Sequence, residues 1–475
     1  MKSDKLQEAL GMIENDLLDR AEEKPKKNKK WVWKWSAGIA AMLVFALCIG
    51  IIFGNDSPMG MKVYAISEAE YPKMAPYPNE NSPNFSSACD AWSADKKERR
   101  AYFGQGAHLD NFMKTTAAEL LSDADGENRV YSPLNIYMAL AMLAEITDGE
   151  SRAQILSLLG EENVESLRKT ANAVWNANYS NDGAVTSILA SSIWLNEDIS
   201  FNQATLKKLA EIYYASSYQG EMGSDDLNKA LQNWLNEQTG GLLKDQIDSI
   251  EMSPDTILAL ATTIYFQAKW AEEFQDFLTE KDIFHGAIGD TSVDFMKQTL
   301  IWGNYYWGEK FSATYKELEG SGKMWFILPD ENVSIDELLA NEEALAFLSN
   351  ANEHKNKKRM QIHLSVPKFD VDSQIDLTKE LQSLGITDCF DMQKADFSPL
   401  LTADMDVALS EAKHGARVTI DEDGVTATAY TVMIAAGAPM PPDDQIDFVL
   451  DRPFIFVIIG SDNLPLFMGV VNQIS

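Results

Sequence analysis

The chain lacks the residue patterns on which most enzymes and metal proteins depend. Cysteine occurs three times in 475 residues, as Cys48, Cys89 and Cys389, without a CxxC pair or a Cys/His cluster. None of the five histidines stands in an HExxH motif, and no GxSxG sequence is present. The sequence therefore predicts neither catalysis nor a metal site nor a cofactor. It also gives no spacing argument for or against a bridge between Cys89 and Cys389.

Positive charge is scarce as well. The chain has 40 Lys and Arg against 72 Asp and Glu, which gives a formal net charge of -32. A protein so acidic repels phosphate and sulfate backbones, so nucleic acid and anionic polysaccharide are poor candidate partners.

The only long hydrophobic run lies near the amino terminus. Residues 35–54 are uncharged and apolar, and at 1.5 Å per residue they span about 30 Å, the thickness of the hydrocarbon core of a bilayer. Lysines precede the run and Asp56 follows it, which favours a cytoplasmic segment (1–30), a transmembrane helix (31–54) and an extracellular remainder. A cleaved signal peptide and a lipoprotein attached at Cys48 are the competing interpretations, and neither has its usual flanking residues.

A polar, proline-containing stretch at 55–104 predicts an extracellular linker. The pattern then becomes dense, and residues 105–475 form the predicted globular domain. Helices are predicted early, at 109–122, 133–146, 151–159 and 226–238. Strands dominate later, at 189–195, 257–266, 324–328, 361–369, 416–420, 454–459 and 466–470. This order favours an α+β domain with mostly antiparallel sheets.

Several stretches of this domain, in a collinear order, resemble the serpin family. They are VYSPLNIYMALAMLAEITDGESRAQILSLLG (130–160), LQNWLNEQTGGLL (231–243), TTIYFQAKWAEEF (262–274), LSVPKFDVD (364–372), LGITDCFD (384–391), LSEAKHGARVTIDEDGVTATA (409–429) and DRPFIFVIIGSDNLPLFMGVV (451–471). The resemblance implies three β-sheets, about nine helices and an exposed reactive-centre loop between Glu422 and Arg452. It also implies a mechanism in which a serine protease cleaves the loop, becomes trapped as an acyl-enzyme, and is displaced as the loop inserts into the large sheet.

The residues of the loop suit such an insertion. A central strand needs small or apolar side chains at every second position, and a series of uncharged residues provides them: Val425, Ala427, Ala429, Thr431 and Met433. The resemblance makes Glu422, Gly424, Val425, Thr426, Ala427, Thr428 and Ala429 the predicted hinge. Two residues depart from the family's loop pattern: Tyr430 is bulky, and Val425 stands where the family usually has Thr or Ser. They leave a non-inhibitory serpin, acting as a binding or structural module, as the alternative.

The family's spacing from Glu422 to the cleaved bond points to Ala438. Because Pro439 follows, and most serine proteases cut poorly before proline, Gly437 and Ala436 are further candidates. All are small, and no Arg or Lys occurs in 424–451, so an elastase- or subtilisin-like protease is the expected target.

The resemblance also assigns residues to the regions where the large sheet opens. Ser132 and His414 match the family's hydrogen-bonded shutter cluster, while Asn135 replaces a common serine and Thr262 replaces an asparagine. We expect the amide of Asn135 to take over the missing role. Trp270 matches the tryptophan where the loop first enters the sheet, although a core aromatic would look the same in sequence. The expected protein is a monomeric, membrane-anchored inhibitor on a bacterial cell surface, which forms a covalent complex with its target.

Overall fold

The computed structural model describes residues 64–79, 82–248, 250–409, 412–425, 442 and 444–474. Residues 1–30, the predicted transmembrane helix 31–54 and the reactive-loop residues 426–441 lie outside this part of the chain. Within it, no helix is long and apolar enough to cross a bilayer. From residue 64 onward the chain forms one compact unit.

Eleven α-helices occur in the described residues, two more than the resemblance implies. They are α1 (Phe85–Arg99), α2 (Asp110–Leu121), α3 (Pro133–Ile146), α4 (Gly149–Leu159), α5 (Val164–Asn178), α6 (Gln203–Tyr213), α7 (Asp225–Gln238), α8 (Lys244–Ile247), α9 (Ile335–Leu339), α10 (Glu342–Asn350) and α11 (Leu377–Ser383). Helix α3 forms the centre of the core, because every one of its residues except Ala139 is buried. Its start follows from local chemistry, since the Ser132 hydroxyl accepts from the Asn135 amide at 3.2 Å and Pro133 occupies the first turn.

Strand bounds agree closely with the apolar runs of the sequence. The strands are β1 (Ala65–Ser67), β2 (Arg129–Tyr131), β3 (Ser180–Asn181), β4 (Val185–Asn196), β5 (Ala215–Gly220), β6 (Leu258–Lys269), β7 (Glu280–Gly286), β8 (Gly289–Trp307), β9 (Phe311–Glu317), β10 (Lys323–Pro329), β11 (Lys357–Pro367), β12 (Phe369–Asp376), β13 (Lys413–Ile420), β14 (Gly424–Val425), β15 (Gln445–Val449), β16 (Phe454–Ile459) and β17 (Pro465–Val471). The run 361–369 was predicted as one strand, but in the structure it is divided between β11 and β12 at Lys368.

The described strands form two hydrogen-bonded sheets rather than the three that were expected. The first sheet has the order β1-β5-β4-β6-β14-β13-β12, with β3 paired to β4. The second has the order β15-β11-β8-β9-β10-β16-β17-β2, with β7 paired to β8. Strand β8 is 19 residues long and pairs with β7, β11 and β9, so it joins what would otherwise be two sheets into one.

The predicted linker differs from the structure over residues 64–104. Strand β1 pairs antiparallel with β5 and so extends the first sheet. The ring of Tyr71 packs against Trp175 and Tyr179, at centroid distances of 5.3 and 5.6 Å, and burial raises the pKa of its hydroxyl. Helix α1 is held by an ion pair of 2.9 Å between Lys96 and Asp182. These contacts are long-range in sequence, which is why local composition did not reveal them.

Candidate functional site

The predicted hinge begins in a tight turn between β13 and β14. The amide of Asp421 donates to the carbonyl of Gly424 at 3.1 Å. The carboxylate of Asp421 accepts from the amides of Asp423 and Gly424, at 3.0 and 3.1 Å. Partial burial raises the pKa of Asp421, although these two amides oppose the effect. The turn therefore reverses the chain, and Val425 lies opposite Ile420 of β13.

Strand β14 lies between the two long strands β6 and β13. Val425 pairs with Ala268 of β6 and is 2% exposed, while Gly424 pairs with Lys269. A Cβ atom on Gly424 would lie 2.4 Å from the carbonyl oxygen of Ala268, so no larger residue fits without a backbone movement. The glycine is thus explained by a close approach of two backbones. The start of the predicted reactive loop is thus a strand of the first sheet.

Glu422 fixes the outer side of the turn. Its carboxylate accepts from the Thr279 hydroxyl at 2.7 Å and forms an ion pair of 2.7 Å with Lys368. Partial burial would raise the pKa of Glu422, but the hydrogen bonds from Lys368 and Thr279 outweigh it and lower the pKa. Lys368 and Thr279 were not predicted as site residues, because their separation from Glu422 in sequence hides the contact.

Trp270 holds the inner side of the same turn. Its indole Nε1 donates to the carbonyl of Asp421 at 2.8 Å, and its backbone amide donates to the carbonyl of Asp423 at 3.0 Å. The side chain is 2% exposed. Trp270 is therefore a core aromatic that also contacts the turn at 421–424, and its role in the entry of the loop stays a prediction.

A buried lysine beneath Trp270 was missed altogether. Lys316 of β9 is 3% exposed, and its ammonium lies 5.5 Å from the centre of the Trp270 ring and 4.3 Å from that of Phe274. It donates to the carbonyl of Glu272 and to the side-chain oxygen of Gln298. Burial lowers the pKa of Lys316 to about 8, although the nearby Glu272 and Glu273 oppose that effect.

The predicted shutter residues form two contacts where β6, β13 and α3 meet. His414 of β13 accepts through Nε2 from the Ser132 amide at 3.0 Å, and burial lowers the pKa of this histidine to about 4. The Thr262 hydroxyl of β6 donates to the side-chain oxygen of Asn135. The Nδ2 donor of Asn135 is buried without a hydrogen-bond acceptor. The structure thus brings Ser132 to His414 and Asn135 to Thr262, while Trp270 lies just after the end of β6, beside the predicted hinge.

The remaining predicted site residues lie outside the described residues. They are the hinge residues Thr426, Ala427, Thr428 and Ala429 and the scissile-bond candidates Ala436, Gly437, Ala438 and Pro439. The two cysteines of the compact unit, Cys89 and Cys389, are free thiols, so the structure contains no bridge between them.

The fold and this site define an α+β protein whose first sheet includes Gly424 and Val425, the start of the predicted loop, as a strand between β6 and β13. A family model described as "Serpin (serine protease inhibitor)" matches residues 107–474. The chain belongs to the serpin family.

Relatives of the chain come from several kingdoms. An "Alpha-1-antitrypsin" of Meriones unguiculatus is 28% identical over 385 residues, which cover 77% of this chain and 91% of that protein. An "Uncharacterized serpin-like protein" of Methanosarcina acetivorans is 29% identical over 369 residues, which cover 74% and 82%. Among solved structures, the thermophilic serpin Tengpin in its native state superimposes with a TM-score of 0.70 at 27% identity, covering 86% of this chain and 100% of Tengpin. The family description and the relatives named as inhibitors support protease inhibition as the general function.

Proposed function

We propose that this protein is a suicide inhibitor of elastase- or subtilisin-like serine endopeptidases. One observation carries the proposal: Gly424 and Val425 already pair with β6 and β13 as strand β14. In the described residues, β6 and β13 are neighbours only through this two-residue strand. The path that an inserting loop would follow therefore has its first two residues in place.

The proposed reaction has two stages. The serine hydroxyl of the protease attacks the carbonyl of the residue before the cut, which forms an acyl ester and releases a new amino terminus on the following residue. The freed loop then extends β14 between β6 and β13, with Val425, Ala427 and Ala429 on one face. Backbone hydrogen bonds to both neighbours and burial of these small side chains favour insertion, and none of the three introduces a charge into the sheet.

The decisive experiment incubates the detergent-solubilised full chain with an elastase and separates the products on a denaturing gel. We expect an adduct heavier than either protein that survives boiling. The matched control is Val425→Asp, which places a carboxylate at a position that is 2% exposed between two strands. This variant should be cleaved without forming the adduct. Cleavage of the wild-type chain without any adduct would instead favour the non-inhibitory module.

We further propose that residues 31–54 anchor a monomeric inhibitor on a bacterial cell surface, with residues 1–30 in the cytoplasm. The uncharged apolar run and the lysines that precede it support this topology. The expected result is that the protein stays with membranes after alkaline carbonate extraction, and that protease added to intact cells removes the inhibitor domain. Release of the protein by carbonate would contradict the anchor.

A further inference from the structure

A β-bulge on strand β8 presents two large apolar side chains to solvent. In the pairing of β8 with β11, Gly303 lies opposite Met360 and Leu300 lies opposite Ile362. Ile301 and Trp302 therefore both face the single residue Gln361. They are 45% and 38% exposed, which is unusual for large apolar residues in adjacent positions of a strand. Bulges of this kind commonly redirect side chains near functional sites.

The bulge is fixed from below by the core. Ile362 is fully buried, and a Cβ atom on Gly303 would lie 2.6 Å from its Cδ1 atom. Because Gly303 has no side chain, Ile362 fills the space beneath the bulge. The exposure of Ile301 and Trp302 is therefore a defined feature of the packed sheet.

The bulge lies close to the carboxyl-terminal end of the reactive loop. On the other edge of β11, Gln361 pairs with Gln445 of β15, and its amide donates to the carbonyl of Asp444 at 3.0 Å. Two strand spacings, about 10 Å, thus separate the bulge from the strand into which the loop leads. Six residues lie between Ala438 and Gln445, and the seven residue-to-residue steps can span at most about 25 Å.

Positive charge borders the apolar pair. The guanidinium of Arg359 lies 5.8 Å from the centre of the Trp302 ring, within the range of a cation–π interaction. Three consecutive cations, Lys357 to Arg359, occur here in a chain whose formal net charge is -32, and all three are exposed. An apolar centre with a charged border is the usual arrangement of a protein-binding surface, and Trp and Arg are the residues most often found at its energetic centre.

We propose that Ile301, Trp302 and Arg359 form an exosite that binds the body of the target protease while its active site engages the reactive loop. The inference rests on the proposed function and adds a second point of contact to it. A protease domain of about 240 residues is about 45 Å across, so it reaches the bulge from any of the candidate bonds. The complementary surface on the protease is apolar and flanked by carboxylates.

The test measures two quantities with the full chain in detergent. The first is the association rate constant with an active elastase, and the second is the dissociation constant for an elastase whose catalytic serine is replaced by alanine. Trp302→Ala and Arg359→Ala should each lower the association rate constant and raise the dissociation constant by about tenfold. The stoichiometry of inhibition should stay unchanged, because the exosite takes no part in loop insertion.

Trp307→Ala is the matched control. Trp307 lies on the same strand and is 40% exposed. Its backbone amide donates to the carbonyl of Asn356, which lies five residues before Gln361 and outside the part of β11 that pairs with β15. We expect this variant to match the wild type. Three results would overturn the exosite. Trp302→Ala and Trp307→Ala could have equal effects on the two constants, or Trp302→Ala could change only the self-association of the inhibitor. The third is that Trp302→Ala alters the stoichiometry of inhibition and also lowers the thermal stability.

The two proposals fail in different ways. If the wild type forms no covalent adduct but binds the inactive elastase through Trp302, the exosite stands and the trapping mechanism fails. If the adduct forms at the same rate in every variant, the mechanism stands and the exosite is wrong.

Discussion

The buried ammonium of Lys316 provides a quantitative test of the hinge environment. Its folded-state pKa of about 8 lies below the ordinary value of 10.5, because burial disfavours the charged form. This difference corresponds to about 3 kcal/mol of unfavourable free energy when the lysine is protonated. The unfolded chain binds more protons than the folded chain between pH 8 and 10.5. Stability from this group is therefore lowest below pH 8 and recovers as the pH rises through that window.

The assay compares the melting temperatures of the wild type and Lys316→Met, which keeps the length of the side chain but cannot be protonated. An unfolding entropy of about 2.1 cal/mol/K per residue over about 400 residues gives roughly 0.8 kcal/mol/K, so 3 kcal/mol corresponds to about 4 °C. Between pH 7 and pH 9.5 the melting temperature of the wild type should rise relative to the variant by about 2–3 °C. All other titratable groups are common to both proteins, so their contributions cancel in the comparison. Two parallel pH curves would refute the reasoning.

Three further predictions concern the hinge and the shutter. Burial lowers the pKa of His414 to about 4, so the unfolded chain gains a proton before the folded chain does as the pH falls below 6.5. The wild type should therefore lose stability between pH 6.5 and 4, and thermal melts of His414→Gln should lack this loss. Gly424→Val forces a Cβ atom against the carbonyl of Ala268. The variant should lower the free energy of unfolding in urea by about 1–3 kcal/mol and reduce adduct formation. If neither quantity changed, β14 would be dispensable. Asn135→Leu removes the acceptor of the Thr262 hydroxyl and should lower the melting temperature by about 1–2 °C or alter inhibition; no change in either would contradict the role given to the Asn135 amide.

Long periodic elements were predictable because burial alone determines their pattern. Helix α3 and strand β16 occur at their predicted bounds, since each places nearly continuous apolar residues in the core, and the less buried strand β6 lies within three residues of its predicted bounds. Where sequence signals and tertiary packing agree, a single sequence is enough.

The contacts of the hinge could not be predicted in the same way. Glu422 lies 54 residues from Lys368 and 143 from Thr279, and its contacts with both exist only after the two sheets assemble. Lys316 gave no signal, because a lysine in a strand is normally exposed and only the packing of Trp270 and Phe274 buries it. Residues 64–104 were missed for a related reason: Tyr71 packs against aromatic residues more than 100 positions away.

Two polar groups near β6 lack hydrogen-bond partners and bear on the proposed insertion. The Nδ2 donor of Asn135, on α3, and the Thr263 hydroxyl of β6 are buried without partners, while His414 of β13 accepts from the Ser132 amide and is held neutral by burial. Each buried polar group without a partner costs about 1–3 kcal/mol. Unpaired buried groups also occur on other strands, such as Ser217 of β5 and Ser365 of β11, so these groups alone do not identify the site of insertion. What distinguishes this boundary is strand β14: in the proposed insertion the loop would extend it between β6 and β13 and supply backbone hydrogen bonds to both, beginning at Gly424 and Val425.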